Sequence, residues 1–243
     1  VNVTYETIAK RLDHSLLGPT LTDRELEAGC RLAAEYDVAS VCIKPYAVPL
    51  AARILKGTTV AVGTTIGFPH GGHRTDVKVF EAERAMDDGA TELDMVVNIG
   101  QALGGDYDAV KADVAAVVSA AHKRNALVKV IFENCYLKPE HIATLSALCG
   151  EVSADFVKTS TGYGTGGATN DDLILMRKSA PPHVKLKAAG GVRDLDAAIA
   201  VTLLGCDRIG ASRTAEMLDE LRKRLANGPI TVETSAGQLG AGY

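Results

Sequence analysis

Tryptophan is missing from the 243 residues, and aromatics as a class reach only 5%. So sparse a set speaks against a surface that stacks nucleobases. Basic excess is missing too: 26 Lys and Arg face 30 Asp and Glu, for a net charge of −4. Neither nucleic acid nor an anionic membrane is expected as a partner. No apolar stretch reaches about 18 residues, so no membrane-spanning helix is expected. The opening VNVTYETIAKRLDHS has no signal-peptide core. The five cysteines are odd in number and include no C-x-x-C pair. That fits reduced thiols in a cytoplasmic protein better than a disulfide frame.

What is there is a regular alternation. Residues 12–15 (LDHS), 38–44 (VASVCIK), 58–66 (TTVAVGTTI) and 91–98 (TELDMVVN) read as strands. So do 127–133 (LVKVIFE), 154–158 (ADFVK), 184–188 (VKLKA) and 206–210 (CDRIG). Helices are expected over 4–11, 22–36, 76–88, 107–124, 139–149, 170–179, 194–204 and 214–225. Their signals are a Thr22-x-x-Glu25 capping box, Pro139 in a first turn, an Asp194 cap and a buried Val79, Ala82, Met86 stripe. Eight strands alternating with helices, without a linker, predict an α/β chain folded as a single (β/α)8 TIM barrel with a short N-terminal helix. A doubly wound sheet is the structural alternative. The barrel domain is assigned to 1–230 and a flexible, Gly-rich C-terminal tail to 231–243.

Strand side chains alternate between faces. Glu92, Asp94, Val96 and Asn98 share one face of their strand, and Leu127, Lys129, Ile131 and Glu133 share one of theirs. Phe156 with Lys158, and Lys185 with Lys187, continue that set. The opposite parity is apolar and suits the surrounding helices, so Asp94, Lys129, Lys158 and Lys187 are assigned to the lumen. A structural ion-pair lattice, with Lys129 neutralising Glu133 or Asp94, is the alternative for any one of them. Two of these lysines run straight into Gly-rich turns, Lys158 at 154–167 (ADFVKTSTGYGTGG) and Lys187 at 184–193 (VKLKAAGGVR), which points to a site.

A lysine ammonium is not a nucleophile, but burial and a second cation both favour the uncharged amine. Lys187 beside Lys158 therefore suggests imine formation with a carbonyl, with Asp94 moving protons. That is class I aldolase chemistry, which needs no metal or organic cofactor. Gly190 and Gly191 follow one strand, while Gly210 and Ser212 follow the next, just before a helix. In barrels these two loops often hold phosphate through backbone N–H groups; Arg193 is a further candidate contact.

The motifs LDHSLL, SVCIKP, VGTTIGFP, KVFEAERAMDDGATELDMVVNIG, VKVIFE, FVKTSTGYGTGGAT, KAAGGVR and RIGAS together resemble the deoxyribose-phosphate aldolase family over nearly the whole chain. The resemblance implies a Schiff-base lyase that reversibly splits 2-deoxy-D-ribose 5-phosphate into D-glyceraldehyde 3-phosphate and acetaldehyde. It implies Lys158 as the imine-forming lysine, Lys187 as its perturbing companion and Asp94 as the acid/base relay. Lys129 and Asp13 would assist in the pocket, and Cys42 falls where the family has a cysteine near bound aldehyde. Thr161, Gly162, Gly190, Gly191, Gly210 and Ser212 would hold the 5-phosphate. Tyr243 would enter from the tail to help protonate the enamine. A small phosphosugar is the expected partner and a homodimer the expected assembly. Tyr163, the stretch HGGHRTD (70–76) and Arg213 depart from familiar members. Two rivals stay open: an imine-forming aldolase for another phosphosugar, and a non-catalytic phosphosugar-binding barrel.

Other signals are weaker. Gly162-x-Gly164-x-x-Gly167 has the dinucleotide spacing, yet lysines stand where the ribose-binding acid belongs. His70-x-x-His73 lacks a third metal ligand nearby. No Ser-His-Asp arrangement accompanies Thr159-Ser160-Thr161.

Overall fold

The computed structural model describes residues 2–231. In chain order the first elements are β1 (Asn2–Val3), α1 (Tyr5–Ala9), β2 (Leu12–Leu16), α2 (Asp23–Glu35), β3 (Ser40–Ile43), α3 (Val48–Ile54) and β4 (Ala61–Ile66). There follow α4 (Thr75–Asp87), β5 (Glu92–Val96), α5 (Ile99–Leu103), α6 (Tyr107–His122), β6 (Leu127–Ile131) and α7 (Pro139–Glu151). The last are β7 (Phe156–Lys158), α8 (Asn170–Ser179), β8 (Lys185–Ala189), α9 (Leu195–Leu203), β9 (Arg208–Ala211), α10 (Thr214–Ala226) and β10 (Ile230–Thr231). Strands β2 to β9 run parallel and close into a barrel through β9 and β2, the (β/α)8 fold expected. β1 and β10 make a separate antiparallel pair that joins the two ends of the described chain.

Local chemistry explains most boundaries. Thr22 and Glu25 form the expected capping box, and the Asp194 carboxylate accepts the Ala197 N–H at 2.8 Å. Two short helices escape the sequence reading. α3 carries Pro49 in its first turn, a residue that reads as a stop although that position suits it. α5 is only five residues, started by Asn98 capping Gln101, too short for a periodic pattern. On α4 the buried stripe is Lys78, Ala82, Ala85 and Met86, and Val79 is only partly buried. Lys78 is tolerated there because its amine donates to Val96 O at 2.9 Å and to the buried Asp113 at 2.6 Å. The 231–243 segment expected as a tail lies outside the described residues except for Thr231, which pairs with Asn2.

One parity runs round the ring. Asp13 pairs with Ser40, Gly63 with Glu92, Asp94 with Lys129, Lys129 with Phe156, Lys158 with Lys187, Lys187 with Arg208, and Asp13 with Gly210. These positions face the lumen. The other parity, including Leu12, Val41, Leu93, Val128, Val130, Leu186 and Ile209, is buried beneath the helices, where Leu26, Val114, Leu145 and Leu218 meet it. Burying each such side chain contributes about 1.5–3 kcal/mol, so a one-residue slip in any strand is strongly opposed.

His14 is the ionisable member of the outward set. It is buried, its Nδ1 lies 2.8 Å from Thr214 Oγ1 at the start of α10, and burial pushes its pKa down to about 4. Between about pH 6.5 and 4 the unfolded chain therefore binds a proton that the native state refuses, so stability is full above pH 6.5 and falls with pH below it. The loss attributable to His14 is about 3 kcal/mol by pH 4. Urea unfolding at pH 7 and 4.5 should show a smaller drop for His14→Asn than for the parent; equal drops would refute the assignment.

Candidate active site

Seven ionisable side chains fill the lumen in one connected cluster. Asp94 Oδ2 accepts from Lys158 Nζ at 2.7 Å and from Lys187 Nζ at 2.7 Å, so the two amines share one oxygen. Asp13 Oδ2 accepts from Lys187 at 2.5 Å and Lys129 at 3.0 Å, while its Oδ1 accepts from Arg208 at 2.6 Å. Glu92 takes Lys129 at 2.6 Å and the Arg208 fork at 2.8 and 3.0 Å. Lys129 also stands 3.1 Å from Asp94 Oδ1 as an ion pair, an oxygen with no hydrogen-bond partner among the described residues. All but Arg208, which is partly exposed, are buried.

The floor of this cluster is Phe156. Its ring centroid lies 5.9 Å from Lys129 Nζ, 5.6 Å from Lys185 Nζ and 5.7 Å from Arg208 Cζ, an arrangement the ring quadrupole favours. Lys185 keeps the lumen parity predicted for it but sits at the exposed end of β8.

Above the cluster opens a cavity of about 520 Å³ at the C-terminal ends of the strands, as barrel sites do. Lys158, Lys187, Asp13 and Cys42 line it, as do Thr161, Gly162, Gly190, Gly191, Gly210 and Ser212. Asp94 and Lys129 do not line it. They lie below, so Lys129, expected to assist in the pocket, touches its lining through Asp13. Tyr243 lies outside the described residues. A larger recess, about 930 Å³, lies between α4, α5 and α6 and contains none of the predicted site residues.

The loops match the demand for exposed backbone. Gly190 and Gly191 have φ of +76° and +83°, conformations that favour glycine. A Cβ on Gly167 would stand 2.5 Å from the Gly190 carbonyl carbon, so the turns after β7 and β8 touch backbone to backbone. Gly210 belongs to β9 rather than to the loop after it, and borders the Lys187 stem. Arg213, the N-cap of α10, makes no side-chain cap hydrogen bond. Tyr163 closes one wall, its hydroxyl donating to Leu17 O at 2.7 Å and its ring meeting Phe68 edge-on at 5.5 Å.

Electrostatics separate the lysines. Burial lowers the Lys158 pKa; Asp94 opposes this and Lys187 adds to it, leaving the amine below its ordinary range. Burial thus outranks the neighbouring cation that the sequence reading credited. Burial also works against charge on Lys187 and Lys129, but their carboxylates outweigh it and both end above the ordinary range. Burial pushes Asp13 and Asp94 up, yet the surrounding cations hold both well down. Burial, aided by Asp94, raises the Cys42 thiol to about 11, so it is protonated at neutral pH.

Three residues escaped the sequence reading as site members. Glu92 was placed on the lumen face without a role. Arg208 shares the parity of Gly210, the only local signal for it. Glu133 enters only the structural alternative, as one of two partners for Lys129. Instead it sits at φ +49° and accepts from Thr161 N at 3.1 Å and from the Thr161 hydroxyl, pinning the loop after β7.

Comparison with known proteins gives a consistent picture. The model of the DeoC/LacD aldolase family matches residues 7–214. Deoxyribose-phosphate aldolase of Rhodopirellula baltica is 53% identical over 236 residues, covering 97% of this chain and 98% of that one. Its counterpart in Thermococcus gammatolerans is 48% identical over 217 residues, covering 88% and 96%. A solved structure of deoxyribose phosphate aldolase from Aeropyrum pernix, described as a unique tetramer, superposes with a TM-score of 0.84 at 30% identity, covering 91% of this chain and 93% of that chain. The paired lysines over a shared carboxylate thus sit in a barrel whose sequence and shape agree on its kinship: this chain belongs to the DeoC/LacD family of aldolases.

Proposed function

We propose that the protein reversibly cleaves 2-deoxy-D-ribose 5-phosphate to D-glyceraldehyde 3-phosphate and acetaldehyde. One observation carries this reading: Lys158, the cluster lysine whose pKa is lowered, lines the cavity and shares Asp94 Oδ2 with Lys187. The uncharged Lys158 amine adds to C1 of the open-chain sugar. Asp94, hydrogen-bonded to that amine, shuttles protons as water leaves and the iminium forms. Loss of the 3-hydroxyl proton then breaks C2–C3, and its electron pair runs to the iminium nitrogen to give an enamine. Protonation at C2 and hydrolysis release acetaldehyde and return the amine. Lys187, held charged by Asp13 and Asp94, discourages a proton on Lys158. The 5-phosphate is assigned to the Gly162, Gly190 and Gly191 turns, Thr161, Ser212 and the N-terminus of α10. Cys42 borders the reacting aldehyde as a neutral thiol. Tyr243, which the resemblance makes a helper in protonating the enamine, lies outside the described residues.

Borohydride added with substrate should reduce the iminium and leave an ethyl group on Lys158, read by peptide mass spectrometry. An unmodified Lys158 would refute the reading. A three-carbon adduct formed with dihydroxyacetone in preference to acetaldehyde would instead favour an aldolase for another phosphosugar. Binding without any adduct would favour a non-catalytic barrel.

We infer a homodimer in the cytoplasm. Tyr46, Val77 and Phe80 expose apolar surface around one groove that a second copy would cover, and the described cysteines are all unpaired. Sedimentation equilibrium should give twice the chain mass; a fourfold mass would align this protein with the Aeropyrum pernix tetramer.

A further inference from the structure

The lumen cluster does not balance its charges. Lys129, Lys158, Lys187 and Arg208 supply four cations against the three carboxylates of Asp13, Glu92 and Asp94. Fully ionised, this nearly dry group carries one positive charge in excess, which burial makes costly. Shedding one proton restores neutrality. Geometry selects the donor: Lys129 contacts three carboxylates, Lys187 and Arg208 two each, and Lys158 only Asp94.

Arg208, like Glu92, Asp94 and Lys129, has no place in the cavity lining. It enters from the start of β9, over the Phe156 ring, and forks across Asp13 Oδ1 and both Glu92 oxygens. Guanidinium keeps its proton at any working pH, so its charge is permanent. Resting on the imine reading of Lys158, we infer that Arg208 is a positioning residue whose permanent charge sets the excess that makes Lys158 surrender its proton. Around Lys158 stand Asp13 of β2, Cys42 of β3, Asp94 and Glu92 of β5, Lys129 of β6, Lys187 of β8 and Arg208 of β9. The Cys42 thiol is neutral, leaving the count unchanged. Glu133 is turned to Thr161 and stays out of it.

The sign can be reversed by design. Arg208→Gln leaves three cations against three anions, so Lys158 keeps its proton to higher pH. Glu92→Gln leaves four against two, so the proton leaves at lower pH. The double variant restores an excess of one. Two profiles are read for each protein: kcat/KM against pH for 2-deoxyribose 5-phosphate, and the pH dependence of trace acetylation of Lys158 by acetic anhydride. The acid limb should move alkaline by about one pH unit or more in Arg208→Gln, and acid by a similar amount in Glu92→Gln. It should return near the parent in the double variant, and largely in Arg208→Lys, which restores the charge without the fork. Singles shifting the same way, or no shift in Glu92→Gln, would overturn the inference. Should Arg208→Gln not fold, Glu92→Gln and the double variant decide alone. The acetylation profile needs no turnover, so shifted labelling in a protein that cleaves nothing would sink the aldolase reading and leave the charge count standing.

Discussion

Replacing Lys158 with leucine is expected to take carbon–carbon cleavage to the uncatalysed rate while the barrel stays folded. Leucine supplies neither the lone pair that forms the carbinolamine nor the nitrogen that receives the electrons of the breaking bond, and the other lysines cannot substitute. Lys187 and Lys129 are each held protonated by two or three carboxylates, and Lys129 does not reach the cavity. The same change removes an amine that has already given up its proton and puts a shorter apolar side chain in its place, so three cations still face three carboxylates. Urea unfolding should therefore show stability unchanged or raised, the opposite of what deleting a structural ion-pair partner does. A variant that keeps activity, or one that loses both activity and fold, would contradict this view of Lys158.

Asp94→Asn should fail differently. Among the described residues Asp94 is the sole carboxylate paired with Lys158, and it is also a partner of Lys187 and Lys129. Asparagine keeps the volume but not the charge, and leaves four cations against two anions. Removing one partner of a buried network costs about 3–5 kcal/mol of stability. Losing the proton shuttle should cost about 10²–10⁴-fold in kcat. The surrounding cations hold the folded carboxyl below its ordinary value of 3.8. Its contribution is therefore present above that value and is lost only as pH falls through the depressed one. The stability gap between parent and variant should accordingly be the same at pH 7 and pH 5. A gap that closes by pH 5 would mean that Asp94 titrates as an ordinary carboxylate. Activity thus falls without a loss of stability for Lys158→Leu and together with stability for Asp94→Asn, which separates nucleophile from relay.

Much of this site is readable before any coordinates. The lysines stand out because a charge in an otherwise apolar strand is expensive, and Lys158 and Lys187 each precede glycines. Helix starts at Thr22 and Asp194 rest on caps a few residues long. Where reading fell short, the missing information was distant. Glu133 has the right parity for Lys129 and binds Thr161 instead, because its backbone turns to φ +49° as β6 ends. Lys78 on α4 reads as a surface lysine until Asp113 of α6 and the Val96 carbonyl come to meet it.

Which face a strand residue takes is a local matter, since alternation has a period of two and needs only the neighbours in the chain. Height within the barrel is not local. It depends on the stagger of eight strands around a closed ring, which sets Asp94 and Lys129 below the cavity and Lys158 at its floor. Lysines of one parity are chemically alike in the sequence. Their carboxylate neighbours among the described residues, three for Lys129, two for Lys187 and one for Lys158, are assigned by register between strands far apart in the chain, and that assignment leaves Lys158 alone of the three below the ordinary lysine range.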